Sequence, residues 1–191
     1  MMKDLLEIRW HGRGGQGAKT AAQFLAEAAL DIGKFIQAFP EYGPERAGAP
    51  IRAYTRISNQ KINIHSPVTN PDIVAVIDPT LLDTVLVTEG LDDEGILVVN
   101  TKETVDTVRK RVKFNKGKVA VCDATKISLE TLGIPIPNTP MLGALLKIRP
   151  IVPMEVLEKE VKHKFLKKLG EEKTEANIKA IKRAFKEVKI G

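Results

Sequence analysis

Leu5 to Trp10 reads as a β-strand, runs at once into Gly12-Arg13-Gly14-Gly15-Gln16-Gly17, and continues as a helical pattern from Ala18 to about Ile32. Phe24, Leu25, Ala28 and Ala29 form the apolar stripe of that helix, and Gly33 follows as its terminator. A strand delivered into a helix through a bend with few side chains is the opening unit of a parallel α/β sheet, so this segment restricts the fold more than any other. Gly12, Gly14 and Gly17 satisfy G-x-G-x-x-G, with Gly15 in addition. Such a bend lets phosphates approach the backbone, where free N–H groups and the helix dipole favour negative charge. It serves equally as a tight turn that packs a strand closely on its helix.

The succession that follows agrees with an α/β chain. Phe35 to Phe39 reads as a second short strand and leads into Pro40 to Pro50, a structured loop containing Pro40, Gly43, Pro44, Gly48 and Pro50. Ile51 to Ile57 and Lys61 to His65 flank Ser58-Asn59-Gln60, the pattern of a hairpin. Ile73 to Ile77 is a continuous apolar strand suited to burial on both faces, and Asp78 caps a helix with Pro79 in its first turn, running to about Val87. Ile96 to Asn100 and Val119 to Asp123 are two further strands, separated by a basic amphipathic helix near Lys102 to Arg111. Thr139 and Pro140 fit the cap and first position of a helix over Met141 to Lys147. Met154, Leu157, Val161, Phe165 and Leu169 keep helical spacing, as do Ile178, Ile181, Phe185 and Val188 beyond a break at Gly170. The expected architecture is a mostly parallel sheet flanked by helices, with an antiparallel hairpin and two C-terminal helices packing on the sheet. Residues 1–191 form one domain, its helical pair near 154–190.

Composition excludes several function classes. The longest uninterrupted aliphatic run is Ile73 to Ile77, too short for a membrane-spanning helix, and no secretory signal pattern opens the chain, so a cytoplasmic location with no membrane partner is expected. With Cys122 as its single cysteine, the chain cannot hold a four-cysteine iron–sulfur cluster or a structural zinc site. Any redox centres would sit on other chains. The net charge is +6, and residues 154–191 carry 11 basic and 7 acidic groups, an excess of 4. Those charges interleave as on a solvated helix face, and no basic stripe alternates with aromatics, so no nucleic-acid partner is expected.

The chemistry concentrates in two segments. A dinucleotide site needs an acidic residue at the end of the second strand for the ribose hydroxyls; Phe35 to Phe39 offers none and Glu41 lies beyond Pro40. In Gly43 to Pro50, two prolines and two glycines stiffen the backbone, lowering the entropy lost on meeting a ligand or partner. Arg46 offers planar donors for a carboxylate or phosphate, or an internal ion pair with Glu45 or Glu41. His11 precedes the glycine loop as a phosphate donor or a satisfied strand-end histidine, and Cys122 reads as a small buried hydrophobe. Asn138 and Thr139 either cap the following helix or contact a cofactor.

The glycine motif with Gln16, the segment Gln37 to Pro50, Pro71-Asp72-Ile73-Val74 and Asn138-Thr139-Pro140-Met141-Leu142-Gly143-Ala144 occur together in this order. Together they resemble the gamma subunit of the 2-oxoacid:ferredoxin oxidoreductases, the pyruvate and 2-ketoisovalerate enzymes of anaerobes, and the likeness covers essentially the whole chain. It implies a subunit of an enzyme that oxidatively decarboxylates a 2-oxoacid, most simply pyruvate, to an acyl-coenzyme A and passes electrons to ferredoxin. Thiamine diphosphate with Mg and the [4Fe-4S] clusters would be held by other subunits, with alpha, beta and delta chains as partners. The gamma subunit would dock them and line the coenzyme A region. Carried over, Gly12, Arg13, Gly14, Gly15, Gln16 and Gly17 would form the loop facing the active-site region, and Tyr42, Glu45, Arg46, Gly48 and Pro50 a second wall, with Asn138 and Thr139 nearby. Many relatives have a larger polar or basic residue where this chain has Ala47. No catalytic acid, base or nucleophile is assigned to the chain, since the carbanion chemistry belongs to the thiazolium cofactor. A stand-alone Rossmann-like NAD(P)-binding oxidoreductase is the alternative reading of the glycine turn, and a basic nucleic-acid binder a third.

Overall fold

Alternation along the opening strand divides the molecule into two layers. In β1 (Leu5–Arg13), Ile8 and Trp10 face a core built with the helices, while Arg9 and His11 are buried on the other side. The computed structural model describes residues 4–41 and 48–191. Tyr42, Glu45, Arg46 and Ala47 therefore lie outside the described residues.

After β1 come α1 (Ala18–Asp31), β2 (Phe35–Glu41), β3 (Pro50–Ser58), β4 (Ile73–Val76), β5 (Ile96–Asn100) and α2 (Val105–Val112). Then follow β6 (Lys118–Cys122), α3 (Ala124–Leu132), α4 (Asn138–Ile148), α5 (Met154–Leu169), α6 (Glu171–Glu187) and the short β7 (Lys189–Ile190). The sheet has seven strands in the order β2-β3-β1-β4-β5-β6-β7. β1, β4, β5 and β6 run parallel, β2 shares their direction, and β3 and β7 oppose them. The mostly parallel α/β architecture expected from the sequence is what the chain adopts.

The hairpin is present, but its strands are β2 and β3, joined across the proline-bearing loop. Residues 61–65 are not a strand. With β1 on one side and β2 on the other, β3 has no edge left for them. Instead Ile64 gives its carbonyl oxygen to Gln37 Nε2 at 2.9 Å. β2 also extends through Pro40 to Glu41, which is tolerated because an edge strand can spare an N–H.

The helix expected from Asp78 to Val87 is a single 3-10 turn, Pro79–Leu82. Beyond it the carbonyls of Val87 and Glu89 accept from the buried Arg9 guanidinium of β1, which holds this stretch in a non-helical path. The two C-terminal helices are present. Glu158 pairs with Lys182 and Lys162 with Glu175, so α5 and α6 run antiparallel. Their main contacts are not with strands, however: α6 packs on α4 and α3, and α5 on α1. Close approach of α4 to α6 requires Gly143, where a Cβ would stand 2.0 Å from the Ile181 carbonyl oxygen.

Candidate functional site

β1 neighbours β3 on one side and β4 on the other, and the chain leaves β1 toward β3 before crossing over to β4. The carboxyl ends of β1 and β4 therefore flank the point where the strand order reverses, the place at which open α/β sheets take ligands. The glycine segment lies there. Gly12 is still within β1, opposite Ile51, so the turn proper spans Gly14 to Gly17. Gly14 and Gly15 are exposed and Gln16 is half-buried.

Gly17 ends the turn at φ 80° and precedes α1, whose N-terminus has no side-chain cap. A Cβ there would meet Asn138 Nδ2 at 2.4 Å, so both backbone angle and space call for glycine. Without a cap, the first N–H groups of α1 are left for another acceptor.

The proline-bearing loop reaches the same place because β3 is antiparallel to β1. In that register Arg13 lies opposite Pro50, so the end of one strand adjoins the start of the other. Gly14 N donates to Ala49 O at 3.1 Å, and Arg13 Nη1 to Gly48 O at 3.1 Å. The described part of the second segment, Gly48 and Pro50, is thus laced to the glycine turn.

A clasp holds the turn to β4. Asp78 Oδ2 accepts from Gln16 Nε2 at 2.6 Å and pairs with Arg13 Nε at 3.2 Å. Its Oδ1 accepts from Thr80 N at 2.9 Å and Thr80 Oγ1 at 2.6 Å. Gln16 Oε1 in turn accepts from Arg13 N at 2.8 Å, and Arg13 Nη2 donates to Thr80 Oγ1 at 2.9 Å. Burial pushes the Asp78 carboxyl up, but hydrogen bonds from Thr80 and Gln16 and the Arg13 charge outweigh it and hold the group below its ordinary range. From the sequence alone Asp78 reads only as a helix cap. The available signal was its position: an acidic residue directly after the buried parallel strand Ile73 to Ile77. Asn100, at the end of β5, extends the clasp by donating from Nδ2 to Ile77 O at 2.8 Å and to Thr125 Oγ1 at 2.8 Å.

The remaining expected residues divide. Asn138 packs over Gly17 and joins the site. Thr139 turns away, fully buried, donating to Asn177 Oδ1 on α6 at 2.9 Å. Neither caps α4, because the helix already includes both and Pro137 stands at the cap without a side-chain bond. His11 is the satisfied strand-end histidine: its Nε2 accepts from Arg9 Nε at 3.0 Å, and burial, with the Arg9 and Arg52 charges, pushes its pKa down to about 3. Cys122 is buried and its thiol is pushed up to about 12, chiefly by desolvation.

Glu41 does stand at the end of the second strand, contrary to the shorter strand expected. Yet β3 separates β2 from β1, and Glu41 accepts from the Tyr54 hydroxyl and lies 3.8 Å from Arg52. Its position and partners differ from those of a ribose-binding acid on a strand adjacent to β1. Among the described residues no helix is long and apolar enough to cross a membrane.

Comparison with known proteins gives the site its setting. Residues 7–187 match the family model described as pyruvate ferredoxin/flavodoxin oxidoreductase. The chain is 54% identical over 187 residues to pyruvate synthase subunit PorC of Thermotoga maritima, covering 98% of this chain and 96% of that one. It is 48% identical over 186 residues to the pyruvate/ketoisovalerate oxidoreductases common subunit gamma of Pyrococcus furiosus, covering 97% and 98%. The crystal structure of the Thermotoga maritima pyruvate oxidoreductase subunit superimposes with a TM-score of 0.88 at 51% identity, covering 99% of each chain. The fold also recurs, at TM-score 0.77 and 22% identity, within 2-oxoglutarate:ferredoxin oxidoreductase of Magnetococcus marinus, where this chain spans 30% of the longer polypeptide. The chain belongs to the pyruvate ferredoxin/flavodoxin oxidoreductase family, as the gamma subunit of a 2-oxoacid:ferredoxin oxidoreductase.

Proposed function

We propose that this gamma subunit serves an enzyme whose 2-oxoacid is pyruvate, and that its glycine turn and proline-bearing loop together line the coenzyme A region and dock the sister subunits. The observation that carries this reading is the lacing of Gly14 to Ala49 and of Arg13 to Gly48, which makes the two segments one surface at the switch point of the sheet. Its chemistry suits a polyanionic carrier. The uncapped start of α1 presents N–H groups, and Arg13, about 30% exposed, keeps a positive charge beside them. Pyruvate stands in the printed names of relatives sharing about half of the sequence, which supports the choice of substrate.

In this reading the alpha, beta and delta subunits hold thiamine diphosphate with Mg and the [4Fe-4S] clusters. The thiazolium group supplies the carbanion chemistry when bound there, and ferredoxin receives the electrons. Arg13 to Gly17, Gly48 and Pro50 shape the wall, Asn138 backs it, and the clasp on Asp78 fixes its outline.

Reconstitution tests the proposal. The purified chain alone should show no pyruvate oxidation and should restore it when added to the sister subunits with both cofactors. In the restored enzyme Arg13→Ala should raise KM for coenzyme A about tenfold with little change in KM for pyruvate, the scale of one lost charged hydrogen bond. Activity of the isolated chain, or tight NAD binding with no response to coenzyme A, would overturn it.

A further inference from the structure

Away from the sheet ends, α1 and α5 meet along a seam with an unusual polar centre. Phe24 stacks edge-on against Phe165 at 5.0 Å, and Lys159 pairs with Asp31 at 3.4 Å. Between these contacts Glu27 of α1 and Glu160 of α5 face one another within hydrogen-bonding reach. The Glu160 side chain is only 6% exposed, and that of Glu27 is 31% exposed. Glu160 Oε1 is buried without a hydrogen-bond partner among the described residues, and Glu27 Oε2, also buried, has the Lys164 ammonium beside it.

Cations there are too few for two facing carboxylates, one of them buried. Lys164 Nζ lies 2.7 Å from Glu27 Oε2 and 3.8 Å from Glu160 Oε1, so a single ammonium serves both. His163 Nδ1 stands 3.8 Å from Glu160 Oε2 on a side chain that is 76% exposed. Lys159 is engaged with Asp31, whose own negative charge adds to the excess. On the opposite flank of α5, Glu158 and Lys162 are taken by Lys182 and Glu175 of α6. Glu27, Asp31, Lys159, Glu160, His163 and Lys164 line a cleft of about 440 Å³ at the seam, an exit route to solvent for a proton.

We propose that Glu27 and Glu160 share one proton, that the shared proton fastens α5 to α1, and that its release to solvent loosens this seam. A neutral Glu160 carboxyl donates to the ionised Glu27 and gives its buried Oε1 a partner, whereas two carboxylates in the same place repel. Burial first, then the hydrogen bond and charge of Glu27, push Glu160 up to about 7. The sign follows from linkage. The unfolded chain releases this proton near its ordinary 4.5 and the folded chain only near 7, so the latch is strongest at acidic pH and weakens as pH rises between those values. The buried His11 works in the opposite direction below its ordinary 6.5, so the readout is the difference between wild type and variant.

The full chain, with Glu160→Gln and Glu27→Gln variants, provides the test. Wild type should show the infrared band of a protonated carboxyl at about pH 6, lost with a midpoint near 7, and Glu160→Gln should lack it. The folded-to-unfolded ratio of wild type relative to Glu160→Gln should fall by up to about tenfold per pH unit across this range and then level off. Amide exchange in α5, corrected for intrinsic rates, should accelerate at alkaline pH in wild type and not in the variant. Should Glu160→Gln not fold, Glu27→Gln decides, because removing the neighbouring charge should lower the midpoint toward the ordinary carboxyl range. Absence of the band, or one pH curve shared by wild type and a folded variant, would overturn the proposal.

Discussion

Asp78 shows how one side chain can set the shape of a whole loop. Its two oxygens join the glycine turn to the end of β4 through Gln16, Arg13 and Thr80. Asp78→Asn keeps the volume but loses the charge and makes one oxygen a donor that meets donors. Stability should fall by about 1–3 kcal/mol at neutral pH, read from denaturant midpoints. That contribution should fade below the ordinary carboxylate range, since the folded-state pKa is depressed and the interaction is lost as the group protonates. Equal losses for the variant at neutral and at strongly acidic pH would argue against the clasp. Sequence pattern identified Asp78 as a cap, which it is, because capping is local. Its second task depends on a partner 62 positions away, which no local pattern announces.

Elements were legible where a period was long and unbroken. α1, α5, α6 and the parallel strands appear close to their expected bounds, because amphipathic spacing and continuous apolar runs reflect burial directly. The hairpin partner differs from the expected one for a physical reason: residues 61–65 have strand-like composition, but pairing depends on which edges are free, a property of the assembled sheet. Packing between elements is similarly non-local. Gly143 lies in the middle of α4, where propensity alone favours alanine, yet a methyl there would strike the backbone of α6 at Ile181. Gly143→Ala should therefore destabilise by about 1–3 kcal/mol despite its better helix propensity. An unchanged or raised melting temperature would show that the α4–α6 contact is looser than described.

At the scale of the molecule, two surface segments far apart in sequence become one wall because an antiparallel strand was inserted beside β1. If that wall meets sister subunits, assembly should slow hydrogen exchange in peptides covering Gly14 to Gly17 and Gly48 to Pro50. The sheet end on the other side, around Asp92 to Gly95, should change little. Uniform protection, or none at the two loops, would move the interface elsewhere.

By itself the sequence determined the class of fold, the place of the glycine turn and the family resemblance, because these rest on local periodicity, local steric freedom and ordered motifs. It also settled that this chain cannot hold a four-cysteine cluster, having a single cysteine. Only the tertiary structure decided that β3 lies between β2 and β1, that Asp78 clasps the turn, that Thr139 turns away toward α6, and that Glu27 meets Glu160. Each of these depends on which surfaces are left free once the sheet is assembled, and contact across long stretches of chain is created by packing, not by neighbouring residues.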